Sequence, residues 1–145
     1  MGWTSGATGA TTVTMASGQS AAASNFCKIG IYSSSATGAV GSTLIAYSSN
    51  ATGAASGTSM PSTANTFFDV TLTQTAVLSA NSRYFIAVVV SPSTGYTMFG
   101  GPNTLGNTAG IVGGSYNTTN QYTNGLPSTV PSVGGDTNRF WARLR

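Results

Sequence analysis

The chain has 145 residues, of which 40% are hydrophobic and only 5% are charged, and its formal net charge is +3. An average soluble protein has roughly 25% charged residues, yet the hydrophobic share is too high for a disordered chain. Five basic residues are too few for the clustered basic stripe of a nucleic-acid-binding protein. The longest apolar run, YFIAVVV at 84–90, is far shorter than the roughly 20 residues that cross a bilayer. We therefore expect one domain that binds neither nucleic acid nor membrane.

Short runs of β-branched and aromatic residues alternate with turn-forming clusters of Gly, Ser, Asn and Pro. The predicted strands are TTVTM (11–15), FCKIGIY (26–32), TLIAY (43–47), FFDVTL (67–72), RYFIAVVV (83–90), YTMF (96–99), a weak GIVGGSY (110–116) and RFWARLR (139–145). Several of them have a period of two, and none has a convincing helical period. The sequence therefore predicts an all-β fold, a jelly-roll-like antiparallel sandwich. One domain covers 1–145, with a long loop-rich connection at 100–136.

Catalytic and metal-binding side chains are scarce in this sequence. It has no histidine and no glutamate, one cysteine and two aspartates. General-base catalysis and zinc binding therefore lack their usual groups, and we expect no enzyme activity, no metal and no cofactor. Asp69 and Asp136 are assigned structural roles, because aspartate commonly satisfies backbone groups in turns. Cys27 alternates with Ile29 and Ile31, so we expect it to be a small core residue.

The terminal RFWARLR segment concentrates most of the positive charge of the chain. Strand alternation puts one set of side chains on the outer face: Arg139, Trp141, Arg143 and Arg145. The apolar set, Phe140, Ala142 and Leu144, is expected in the core. The outer set is either a solvated face or a contact with a partner, since Arg and Trp are favoured at binding hot spots. Trp3 presents the same two alternatives: a plug on the core or a contact with another chain.

A second candidate surface lies in the loops between 96 and 124, which combine tyrosines with amides. Tyrosine rings stack on ligands and asparagine amides form adaptable hydrogen bonds, as in sugar-binding sites. The residues assigned to this possible ligand loop are Tyr96, Tyr116, Asn117 and Tyr122. An ordinary ordered loop is the alternative.

A pattern across roughly residues 11–99 resembles a β-sandwich module of tailed-bacteriophage virion proteins. The matching positions are Ile29, Gly30, Ile31 and Tyr32 in the first strand, Gly41, Leu44, Ile45 and Ala46 in the second, and Leu78, Tyr84, Phe85, Ile86 and Ala87 in the later one. The proline often present in the first loop of that module is absent. The resemblance implies binding and assembly, without catalytic residues.

The first functional hypothesis is therefore a phage capsid decoration protein, which is expected to be a homotrimer bound to the major capsid protein or another virion protein. Such a protein would be made in the host cytoplasm and exposed on the particle surface. The alternative is a carbohydrate- or receptor-binding tip module of a tail fibre or adhesin. A small secreted enzyme or inhibitor is a weaker third hypothesis, because the opening MGWTSGATGATT lacks the basic and apolar regions of a secretory signal.

Because so few groups titrate near neutral pH, the free energy of unfolding should depend little on pH between about pH 4 and 9. Thermal melts followed by circular dichroism across this range should give nearly constant midpoints. A steep loss of stability centred near pH 5 would contradict this expectation.

Overall fold

The computed structural model describes residues 8–17, 26–35, 38–49, 57–80, 82–91, 114–115, 125–130, 134–135 and 142–145. These residues form nine strands: β1 (Thr8–Ala16), β2 (Phe26–Ser35), β3 (Gly38–Tyr47), β4 (Thr58–Ser59), β5 (Phe67–Leu78), β6 (Tyr84–Val90), β7 (Gly114–Ser115), β8 (Gly134–Gly135) and β9 (Ala142–Leu144). No helix is present in this part of the chain, so it contains no helical segment that could cross a membrane.

Two antiparallel sheets enclose the main core. Sheet A has the strand order β5-β1-β9, and sheet B is built around β2, which pairs with β3, β4 and β6. Both sheets contribute apolar side chains to one cluster, among them Val13 and Val70 from sheet A with Ile29 and Ile86 from sheet B. The predicted all-β antiparallel sandwich is confirmed. The jelly-roll order of strands stays a prediction.

Strand β2 is buried on both of its faces. Cys27, Ile29 and Ile31 enter the main core, where Cys27 is the small buried residue expected from its alternation. On the opposite face, Tyr32 is fully buried with Val130 in a second cluster. The segment 125–130 therefore covers the outer face of sheet B.

Two details of the chain fit β2 to this cover. The Tyr32 hydroxyl donates a hydrogen bond of 2.9 Å to the Pro127 carbonyl. A Cβ atom at Gly30 would lie only 3.0 Å from Leu44 Cδ1 and 3.1 Å from Leu126 Cδ1, so this position has little room for a side chain.

Lys28 is also fully buried, and burial lowers the pKa of its ammonium group.

The outer edge of β3 is covered from two directions. Residues 128–130 add backbone hydrogen bonds at 41–44, including Leu44 N to Ser128 O at 2.8 Å. Farther along, the Thr73 hydroxyl donates to the Tyr47 carbonyl at 2.9 Å, and the Gln74 amide donates to the Ile45 carbonyl at 2.6 Å. Sheet A and sheet B are therefore joined along their β5 and β3 edges.

A bulge in β5 makes these contacts with β3 possible. From Ala10↔Ala76 to Thr12↔Thr71 the chain advances two residues in β1 and five in β5, so β5 carries three extra residues. This irregularity also explains why the predicted strand, which ended at residue 72, is shorter than β5. The polar residues 73–75 interrupt the apolar alternation, and pairing with β1 resumes at Ala76.

Other predicted strands fall partly or wholly outside the described residues. The 96–99 strand does so entirely. Within 110–116 the structure describes only β7, and within 139–145 it describes only residues 142–145. There the predicted alternation is confirmed, because Ala142 and Leu144 pack against the main core while Arg143 and Arg145 are exposed.

Serine hydroxyls complete the hydrogen bonding where strands end. Ser48 donates its N–H to the Ile29 carbonyl at 2.9 Å, and its hydroxyl accepts the Ile29 N–H at 2.9 Å. Ser91 makes the same pair of bonds with Phe26, and Ser17 makes them with Thr66. Each hydroxyl accepts from the backbone as a carbonyl would, so a strand can end without leaving a buried N–H unpaired.

We expect Ser48→Ala to lower the free energy of unfolding by about 1–3 kcal/mol, because the buried Ile29 N–H would lose its acceptor. Chemical denaturation of the parent and the variant measures this loss. Ser33→Ala is the matched control, since its exposed hydroxyl makes only a long contact of 3.4 Å with the Thr43 carbonyl. Equal effects of the two substitutions would contradict the proposed role of the hydroxyl.

Candidate functional site

The outer face of sheet A brings together most of the charged side chains that the structure describes. Asp69 of β5 lies opposite Thr14 of β1, and Arg143 of β9 lies opposite Thr14 on the other side. Arg145 follows two residues after Arg143 and so returns to the same face. Because alternate residues of all three strands point into the core, their polar neighbours are necessarily displayed together.

Thr14, Asp69 and Arg145 form one hydrogen-bonded cluster. The Arg145 Nη2 atom lies 2.7 Å from Asp69 Oδ1 and 3.0 Å from Oδ2. Its Nε and Nη2 atoms also donate to the Thr14 hydroxyl, at 2.9 and 2.7 Å. The same hydroxyl donates to Asp69 Oδ1 at 2.7 Å. Thr14 therefore both accepts and donates within an ion pair that spans the sheet.

The backbone of Arg145 is also hydrogen-bonded to β1. Its N–H donates to the Thr12 carbonyl at 2.9 Å, and its carbonyl accepts from the N–H groups of both Thr11 and Thr12, at 2.8 and 3.0 Å. These bonds extend the pairing of β9 with β1 past Leu144. They fix the position from which the guanidinium reaches Asp69.

This cluster lowers the pKa of the Asp69 carboxyl below its ordinary value. The hydrogen bond from the Thr14 hydroxyl is the largest cause, and the charge and hydrogen bonds of Arg145 add to it against the opposing effect of desolvation. Both side chains of the ion pair remain half exposed. The ion pair is thus an exposed, salt-sensitive contact.

Arg143 differs from Arg145, although the sequence assigned both to the same partner contact. Arg143 is exposed, and within the described residues it makes no ion pair or side-chain hydrogen bond. Phe67 lies on the same face, two residues before Asp69 in β5, and 65% of its surface is exposed. The face therefore presents an aromatic ring and a guanidinium on either side of the internal cluster.

The remaining sequence-predicted site residues lie outside the described residues. They are Trp3, Arg139 and Trp141 of the possible partner contact, and Tyr96, Tyr116, Asn117 and Tyr122 of the possible ligand loop. Their roles stay predictions.

Sequence reasoning missed the contact between Asp69 and Arg145, which are 76 positions apart. The only available signal was that both residues belong to the polar set of an alternating strand. The alternation of the strand does place Phe67 on the face of Asp69 and Phe68 on the face of Val70, and the exposure of Phe67 agrees with it. Asp69 was assigned a structural role, and the ion pair supplies one.

Reactive and metal-binding groups are few in the part of the chain that the structure describes. Burial raises the pKa of the Cys27 thiol to about 12, so the thiolate that would react is absent at neutral pH. No group of three or more metal-ligating side chains occurs among the described residues.

Comparisons with known proteins do not place the chain in a family. No family model matches it, and neither a curated protein nor a solved structure is significantly similar to it.

We expect Asp69→Asn to lower the melting temperature at neutral pH and to have little effect at strongly acid pH. A carboxyl with a lowered folded-state pKa stabilises the fold above its unfolded pKa, and this contribution is lost as the pH falls through the folded pKa. Thermal melts at pH 7 and below about pH 3 measure the two differences.

Repeating the neutral melts in about 1 M salt serves as the control, because screening should shrink the effect of an exposed ion pair. A difference between parent and variant that is the same at both pH values would show that the charge of Asp69 is not its source.

Proposed function

We propose that this protein is a structural component of a tailed-phage virion, a capsid decoration protein that binds the particle through the outer face of sheet A. The observation that carries the proposal is the exposure of Phe67 and Arg143 on one sheet face. The strand-pattern resemblance supports the phage assignment, and the sheet face supplies the contact surface. The described residues offer no competing catalytic cluster.

The chemistry of this face suits a protein partner. An aromatic ring and a guanidinium are residue types that anchor protein interfaces. Arg145 is already paired with Asp69, so among the described residues the charge of Arg143 is the one that remains for a partner on this face. We therefore expect a binding site with an acidic or carbonyl-rich position opposite Arg143 and an apolar position opposite Phe67.

The scarcity of charge also fits attachment to a large assembly. A protein with so few charged side chains has little long-range electrostatic steering. Its affinity would come from buried apolar area and neutral hydrogen bonds, which act at short range.

Co-sedimentation of labelled protein with phage particles from its own source tests the proposal. We expect Arg143→Ala to weaken particle binding about tenfold, as for an arginine near the centre of an interface. Arg83→Ala is the matched control, because it removes another exposed arginine, which directly precedes β6 of sheet B. The control should bind like the parent protein.

Phe67→Ala adds a second probe of the same face and should also weaken binding. If Arg143→Ala and Phe67→Ala both bind particles like the parent, sheet A is not the contact surface. Failure of the parent protein itself to bind particles, together with saturable binding on a glycan array, would favour the carbohydrate-binding alternative.

A further inference from the structure

The two sides of the sandwich are closed differently. On one side, β5 and β3 are joined by the contacts of Thr73 and Gln74. Since each sheet has its other edge on the opposite side, β6 of sheet B and β9 of sheet A are both edge strands on that side. That side has no corresponding bridge among the described residues.

The hydrogen bonds at the two ends of β6 show which of its backbone groups face outward. Ser34 N donates to Arg83 O at 3.0 Å, and Ser91 N donates to Phe26 O at 2.8 Å. The backbone N–H and C=O groups of residues 83 and 91 therefore point toward β2. Strand alternation then turns the N–H and C=O groups of residues 85, 87 and 89 toward β2. The groups that point away from β2 belong to Tyr84, Ile86, Val88 and Val90.

Within the part of the chain that the structure describes, no backbone hydrogen bond is made along this outer edge of β6. The edge is seven residues long and uncharged, and it carries no proline and no bulge in its pairing with β2. Lysines, prolines and bulges are the usual means of protecting an edge strand from pairing. An edge with none of them is suited to accept another strand.

We propose that β6 pairs antiparallel with β6 of a second copy of this chain, about a two-fold axis at Ala87. In this register Tyr84 lies opposite Val90 of the other copy, and Ile86 lies opposite Val88. The four outward residues of each copy then form four hydrogen-bonded pairs with those of the other copy. Each pair exchanges two hydrogen bonds, which gives about eight new ones. The proposal does not depend on the proposed virion role.

A second copy fits this edge because the strand is complementary to itself. β6 presents backbone groups and apolar side chains without a charge that would select a different partner. The cations that flank the two β6 strands, the Arg83 side chains, would be separated by eight positions, or about 26 Å along the strands. That distance exceeds the Debye length at physiological salt, so they would not repel each other appreciably.

The axis is perpendicular to the sheet, so the core-facing side chains of both copies stay on the same side. Sheet B would therefore continue from one copy into the other as a single twisted sheet, as in an isologous dimer. The smallest assembly that this contact predicts is a dimer, in place of the trimer expected from the sequence.

A single cysteine at the axis tests the register. In the proposed dimer, the two copies of residue 87 form a non-hydrogen-bonded pair with Cα atoms about 4.5 Å apart, which is within the range of a disulfide. Ala87→Cys should therefore give a covalent dimer under mild oxidation. The native Cys27 should not interfere, because it is fully buried and the pKa of its thiol is raised to about 12.

Val89→Cys is the matched control on the same face of the same strand. Its two copies would lie four positions apart, or about 13 Å, which is too far for a disulfide. Equal cross-linking of the two variants, or no cross-linking of Ala87→Cys above the parent, would overturn the proposed register.

Val88→Pro tests the edge without an added thiol. It removes an outward N–H and spares the hydrogen bonds to β2, a position at which edge strands tolerate proline. Sedimentation should show a dissociation constant raised about tenfold or more, with the circular dichroism spectrum unchanged. A dimer unaffected by this substitution would overturn the proposal.

Hydrogen exchange on the parent protein separates self-pairing from cover by the same chain. If β6 pairs with a second copy, the amides of Ile86 and Val88 should lose protection on dilution. A parent protein that is monomeric at every concentration, with these amides protected, would show that its own chain covers the edge, and the proposal would fail.

Discussion

Strand β2 has side chains packed on both of its faces and neighbouring strands on both of its edges. Its inner face supplies Ile29 and Ile31 to the main core, while Tyr32 holds the cover segment 125–130 through the Pro127 carbonyl. A strand in this position cannot shift by one residue, because the shift would exchange the two faces. The fixed register of β2 in turn fixes β3 and β6, and through the Thr73 and Gln74 contacts with β3 it constrains sheet A.

Serine and threonine hydroxyls supply hydrogen bonds at strand ends and within the ion pair of sheet A. At three strand ends a serine both donates its N–H and accepts with its hydroxyl, as Ser17, Ser48 and Ser91 do. In the ion pair of sheet A, the Thr14 hydroxyl bonds to both the acid and the base, at 2.7 Å each. A hydroxyl is suited to both settings because it is donor and acceptor at once. A chain with few charges can therefore bury its strand ends without unpaired groups.

The sequence predicted what alternation alone determines. The apolar face of β5 and the inward Ala142 and Leu144 follow from a period of two, and so does the burial of Cys27. The spacing from Leu78 to Tyr84 also has a physical basis, because the Tyr84 hydroxyl accepts the Ser79 N–H at the turn that joins β5 to β6. Non-local features were beyond such reasoning. The three-residue bulge, the burial of Lys28 and the ion pair of Arg145 depend on which strands become neighbours, and a local pattern does not specify that.

The two proposed surfaces lie toward the same side of the sandwich. The outer face of β9 carries Arg143, and the edge of this strand lies on the same side of the sandwich as the β6 edge that no described strand pairs with. A two-fold axis perpendicular to sheet B is also nearly perpendicular to sheet A, because the sheets of a sandwich are roughly aligned. The two copies of the Arg143 face would then point in the same direction. Once one copy is bound to a repetitive surface, the second binds at a high effective concentration. Weak contacts made by a charge-poor face could in this way give stable attachment.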